Sequence, residues 1–120
     1  MKISQAFTFE AAHRLPNVPT THRCHRLHGH SYRIEVVLSG PVDAQTGFVV
    51  DFFDIEDAFG PLLTTLDHHC LNDVEGLENP TAENIAIWIW ERTKPKLSQL
   101  SSVKVYETPD CWAVYDGTDC

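Results

Sequence analysis

His28-Gly29-His30-Ser31-Tyr32-Arg33-Ile34-Glu35-Val36-Val37-Leu38, residues 28–38, alternates two kinds of side chain without a break. His28, His30, Tyr32, Ile34, Val36 and Leu38 share one parity. Successive side chains of a strand point to opposite faces, so this stretch predicts a long half-buried strand with two imidazoles at the start of its inner face. Ser39-Gly40-Pro41 ends it. Upstream, residues 3–13 repeat the pattern, with Ile3, Phe7, Phe9, Ala11 and His13 on one parity and Ser4, Thr8 and Glu10 on the other. The two strands are joined by LPNVPTTHRCHR, residues 15–26, rich in proline and turn formers. A connection of about a dozen residues without structure is uncommon in a compact domain and is usually functional.

Downstream the period changes. Asp43 to Gly47 reads as a turn and Phe48-Val49-Val50 as a short apolar run. Ile55, Ala58, Phe59, Leu62, Leu63 and Leu66 then recur at helical offsets, with Asp67-His68-His69 closing the helix. Gly60-Pro61 inside that pattern predicts a kink, because proline removes a hydrogen bond and crowds the preceding turn. Asn79-Pro80-Thr81 opens a second helix with Thr81 as N-cap and Glu83 in the first turn; it stops near Pro95. Ile85, Ala86, Trp88, Ile89 and Trp90 cover more than one stripe of it, which predicts burial on both sides, by the sheet and by a neighbouring subunit or loop. Val103 and Val105 lead to Glu107 in a third strand, Thr108-Pro109-Asp110 turns, and Cys111–Tyr115 forms a fourth. The order ββααββ predicts an α+β fold, a four-stranded, mainly antiparallel sheet with two helices on one face, as a single domain over residues 1–120. Its two open edges are suited to pairing with further copies of the chain.

The chain has 120 residues, the size of one domain, and 42% hydrophobic content argues against disorder. No apolar run reaches the roughly 18 residues of a membrane span, so no membrane partner is expected. The first residues enter the alternating pattern without a signal-peptide core, and the expected location is cytoplasmic. Nine Lys plus Arg against seventeen Asp plus Glu give a net charge of −8, which disfavours nucleic acid as a partner. Cys24, Cys70, Cys111 and Cys120 form no CxxC, and free thiols are expected.

The acidic total hides a cationic segment. Residues 11–34 hold Arg14, Arg23, Arg26, Arg33 and five of the seven histidines, with no Asp or Glu, which suits a metal or a small anion. His28 and His30 project from one face, and His13, on the preceding strand, can add a third nitrogen. Three histidines with an open fourth position is the pattern of catalytic zinc, although two histidines packed on a sheet face would read similarly. Cys24 lies four residues before His28, beside Arg23 and His25, where positive neighbours favour the thiolate. Asp67 and His68 pair a carboxylate with an imidazole, as proton transfer requires, or His68 simply complements a helix end. Glu107 shares a face with apolar residues, where it pairs with a cation or accepts hydrogen bonds from a polar ring.

Together FTFEAAHRL (7–15), CHRLHGHSY (24–32), LDHHCLN (66–72), NPTAENIA (79–86) and VKVYET (103–108) resemble the 6-pyruvoyl-tetrahydropterin synthase family, in order and over nearly the whole chain. The nearest likeness is to its bacterial branch, which makes 6-carboxy-tetrahydropterin for queuosine. The resemblance implies a tunnelling fold (T-fold), assembled typically as a homohexamer of two stacked trimers with active sites between subunits. It assigns zinc to His13, His28 and His30, the catalytic thiol to Cys24, the proton relay to Asp67 and His68, and the pterin anchor to Glu107. The implied substrate is 7,8-dihydroneopterin triphosphate, converted to 6-carboxy-tetrahydropterin, acetaldehyde and triphosphate. Elimination of triphosphate to the pyruvoyl product, aldolase cleavage, and a non-catalytic zinc- or pterin-binding module are the competing expectations. His25 and His69 are additional imidazoles beside the motif positions.

Overall fold

The computed structural model describes residues 1–118. β1 (Lys2–His13) and β2 (His28–Ser39) pair antiparallel along their full length, Lys2 opposite Ser39 and His13 opposite His28. The alternation read from the sequence becomes a two-faced ribbon. Phe9, Ala11, Tyr32, Ile34, Val36 and Leu38 are buried, while Glu10, Ser31 and Arg33 on the other parity are exposed. β3 (Leu100–Thr108) joins β2 and β4 (Cys111–Tyr115) joins β3, giving an antiparallel sheet in the order β1-β2-β3-β4. β3 starts ahead of Val103, because buried Leu100 already pairs with Leu38.

Two helices, α1 (Phe52–Leu66) and α2 (Ala82–Thr93), pack on the buried face. Phe7 of β1 stacks on Phe59 of α1 with ring centroids 4.3 Å apart. Ile85 and Ile89 of α2 share one apolar cluster with Val103 and Val105. The start of α1 is set by Asp51, whose Oδ1 accepts from the Phe53 amide at 2.9 Å, satisfying an amide that has no partner within the helix. α1 continues through Pro61 without a break; the carbonyl that proline leaves unbonded belongs to exposed Asp57, where water can reach it. Thr81 caps α2 as expected, its hydroxyl accepting from Asn84 N at 3.1 Å, and the helix closes at Lys94, just before Pro95.

The excess of apolar surface on α2 needs no second subunit. Trp88 donates through Nε1 to the Glu75 carbonyl at 3.0 Å, so the 71–80 connection covers that side, and Trp90 packs edge-on against Tyr115 of β4. Cys24, Cys70 and Cys111 are free thiols, as expected; Cys120 lies outside the described residues. No helix among the described residues is long and apolar enough to cross a membrane.

One edge of the sheet departs from the simple reading. Residues 67–70 run parallel to β1: His68 N donates to Glu10 O, Ala12 N donates to His69 O, and Ala12 bridges Cys70. The outer edge of β1 is thus covered over its last residues, whereas Ser4 to Thr8 have no backbone partner on that edge among the described residues. β4 forms the other edge.

Candidate functional site

His13 is the last residue of β1 and faces His28, the first of β2, with His30 two residues on. The inner face therefore carries three imidazoles at one end of the sheet. Their ring centroids lie 4.5 to 5.0 Å apart, and one ligand atom from each falls within 4.8 Å of the others. The hydrogen bonds fix the chemistry of two rings. His13 Nδ1 lies 2.8 Å from the Pro80 carbonyl and His28 Nδ1 lies 2.7 Å from the Arg26 carbonyl. A carbonyl only accepts, so each Nδ1 carries the proton and each Nε2 of the neutral ring carries a lone pair. Those two Nε2 atoms face one another at 3.0 Å. Facing lone pairs repel at that distance unless a cation or a proton lies between them.

His30 completes the donor set. Its Nε2 is buried without a hydrogen-bond partner. Burial lowers the pKa of both His13 and His30, with the His13–Pro80 bond and the Glu107 charge acting the other way. Neutral imidazoles are the form that binds metal, and an all-nitrogen set of three fits zinc with a coordination position left for substrate or water. Buried Tyr32, on the same face, places its hydroxyl 3.2 Å from His13 Nδ1; burial, then the Glu107 charge, raises its pKa and keeps the phenol protonated.

Glu107 owes its position to a break in register. β3 and β4 pair Tyr106 with Trp112 and then Thr108 with Cys111, so Glu107 is an extra residue in the ladder. Such bulges re-aim a side chain beside a site. The Glu107 carboxylate lies 3.9 Å from His30 Nε2. With His30 held neutral by burial this is proximity and not an ion pair, and among the described residues the carboxylate receives no hydrogen bond.

Asp67 and His68 form the second group. They do not belong to the last helical turn: α1 ends at Leu66, Asp67 is its C-cap, and His68 takes φ 58°. A left-handed non-glycine residue costs about 1–2 kcal/mol. Here it turns the chain onto β1. His68 Nδ1 lies 3.0 Å from Asp67 Oδ1, which also accepts from Glu10 N at 2.9 Å. The Glu10 amide first, and His68 second, hold the Asp67 pKa below the usual carboxylate range, so the carboxylate stays ionised beside the imidazole. The neighbouring His69 instead turns its Nδ1 to the Asp67 carbonyl at 2.8 Å.

Cys24 sits in a single 3₁₀ turn, Arg23–His25, within the long connection. His22 Nδ1 accepts from the Cys24 amide at 3.0 Å, and the Cys24 carbonyl accepts from Leu15 N at 2.9 Å, closing the connection on itself. The thiol is half-buried and makes no side-chain hydrogen bond among the described residues.

The single chain does not gather these groups into one cavity. His68, His69 and Cys70 line a 510 Å³ cavity with Gly29 and His30, but without Cys24 or Glu107. Glu107 lines a separate depression of 460 Å³ with Glu83, Cys111 and Trp112. The sequence reading missed the carbonyls of Arg26 and Pro80, which only the fold brings to the rings, and Tyr32, whose shared parity with His28 and His30 was a usable signal.

Residues 2–118 match the family described as 6-pyruvoyl tetrahydropterin synthase. The chain belongs to this family. Among its members, a 6-carboxy-5,6,7,8-tetrahydropterin synthase of Synechocystis sp. is 42% identical over 112 residues, 88% of this chain and 85% of that protein. A 6-pyruvoyl tetrahydrobiopterin synthase of Drosophila melanogaster is 34% identical over 127 residues, 92% of this chain and 76% of that protein. The structure of Caenorhabditis elegans 6-pyruvoyl tetrahydropterin synthase superposes with a TM-score of 0.91 at 31% identity, covering 98% of this chain and 96% of that one. The ββααββ sheet-and-helix arrangement is thus the T-fold of the family.

Proposed function

We propose that this chain is a zinc-dependent 6-carboxy-5,6,7,8-tetrahydropterin synthase, a lyase converting 7,8-dihydroneopterin triphosphate and one water to 6-carboxy-tetrahydropterin, acetaldehyde and triphosphate. Its place would be queuosine biosynthesis, in the cytoplasm. The observation that carries the metal-dependent reading is the pair of Nε2 lone pairs of His13 and His28 facing at 3.0 Å beside His30. The likeness to the Synechocystis protein carries the choice of product.

Zinc held by His13, His28 and His30 would supply Lewis acidity toward the side-chain oxygens of the substrate. Cys24, as thiolate, would take a proton from the substrate side chain. His68, oriented by ionised Asp67, would exchange protons on the other side as general acid or base. Glu107 would grip the N–H edge of the pterin with charge-assisted hydrogen bonds, fixing the ring relative to the imidazoles. Arginines flanking Cys24 would receive the triphosphate. The division of these residues between two cavities supports a site completed between subunits of a homo-oligomer, a hexamer in this reading.

The second reading is elimination of triphosphate to 6-pyruvoyl-tetrahydropterin, favoured by the likeness to the Drosophila protein. One experiment separates the two: zinc-loaded protein is incubated with 7,8-dihydroneopterin triphosphate, and pterin and volatile aldehyde are identified by mass spectrometry. Acetaldehyde with the carboxy product is expected. A pyruvoyl product without acetaldehyde transfers the chain to the second reading, and unchanged substrate refutes both.

A further inference from the structure

The ladder that covers the edge of β1 ends in an unusual way. The chain departs from the strand after Cys70 to enter a short 3₁₀ turn, Leu71–Asp73, so backbone pairing stops at Ala12, one residue before His13. The Asn72 side chain takes over. Its Oδ1 accepts from Arg14 N at 2.9 Å and its Nδ2 donates to Arg14 O at 2.8 Å. A carboxamide offers one acceptor and a donor in one plane, as a peptide group does, so Asn72 acts as one more rung of the ladder. The same Nδ2 lies 3.4 Å from the Glu78 carbonyl, two residues before Pro80, whose carbonyl accepts from His13 Nδ1. One side chain thus ties down both the backbone beside His13 and the segment that sets its tautomer.

We propose that Asn72 is a positioning residue for the metal site, holding His13 in place through Arg14 and the 78–80 segment, an inference that depends on the zinc reading above. Without the clamp the outer edge of β1 would be untied beyond Ala12, leaving the His13 backbone held only from the β2 side, and strand ends with fewer partners open at less cost. The His13 ring would then sample positions away from His28 and His30. Loss of such outer support weakens metal binding about 10- to 100-fold.

The test measures zinc affinity of the full chain by competition with a chromophoric chelator, together with thermal melting of the metal-free protein. Asn72→Asp keeps the acceptor and loses the donor; Asn72→Ser loses the reach for both bonds and serves if the first variant does not fold. Ile89→Val, a small core truncation in α2, is the stability control. Both Asn72 variants are expected to bind zinc about 10-fold or more weakly, with Ile89→Val unchanged. Asn72 variants that keep wild-type affinity, or an Ile89→Val control that loses as much zinc affinity for the same fall in melting temperature, overturn the positioning role and leave the zinc reading intact. A wild-type protein that binds no zinc overturns both.

Discussion

Whether an imidazole serves as ligand or as packing is decided here by what lies on its far side. His13 and His28 each give Nδ1–H to a main-chain carbonyl, which commits both Nε2 atoms to the same gap. Burial then works in favour of metal, since lowered pKa values keep His13 and His30 neutral. Protons compete with the metal only once a ring can be protonated. In a pH series followed by NMR of the metal-free protein, the His13 and His30 rings should therefore stay neutral as pH falls past the ordinary imidazole value of 6.5 and take up protons only in more acid solution. Protonation of either ring above neutrality would contradict burial as the cause of their neutrality. Glu107 sets a different expectation: Glu107→Gln keeps the shape and removes the charge, so kcat/KM should fall about 10- to 100-fold, the worth of charged over neutral hydrogen bonds. Unchanged kcat/KM would remove Glu107 from the ring-binding role.

The segment after α1 shows how an element boundary brings a carboxylate and an imidazole together. Asp67 and His68 stand together because the helix stops at Leu66 and His68 adopts a left-handed turn that sends 67–70 along β1. Glycine takes that conformation without the steric penalty, so His68→Gly should melt no lower than the wild type while turnover drops about 100-fold or more, the usual weight of a general acid or base. Turnover that survives would exclude His68 from the relay. At the other helix, Thr81→Ala removes the bond to Asn84 N and should lower stability by about 1 kcal/mol in denaturant unfolding. No destabilisation would show that the cap is dispensable.

For the molecule as a whole, the consequential feature is the part of the β1 edge that 67–72 leaves bare. Ala6 lies on it, with the same parity as Glu10 and Ala12, whose amides point outward to the covering segment. Proline at such a position spares the pairing with β2 and denies the edge to another strand. Ala6→Pro should keep the far-ultraviolet spectrum of the wild type yet sediment as a smaller species with little turnover, if the active sites are completed between copies. Full activity in a monomeric variant would refute that assembly.

Much of this organisation was legible along the chain. Period-two alternation marked β1 and β2 and put His13, His28 and His30 on one face, because a strand's side-chain direction depends only on parity. Helical offsets and the Thr81 cap marked α1 and α2 for the same local reason, and the motif order carried the family. Other features depend on groups distant in sequence. The carbonyl that orients His13 comes from Pro80, the clamp beside it from Asn72, and the partner of Asp67 from Glu10. Hydrogen bonds across more than fifty residues leave no periodicity to read, since they arise only when the sheet edge, the turn after α1 and the start of α2 are packed together. Local pattern specified which residues face inward; the packed chain alone determined which of them meet and in what protonation state.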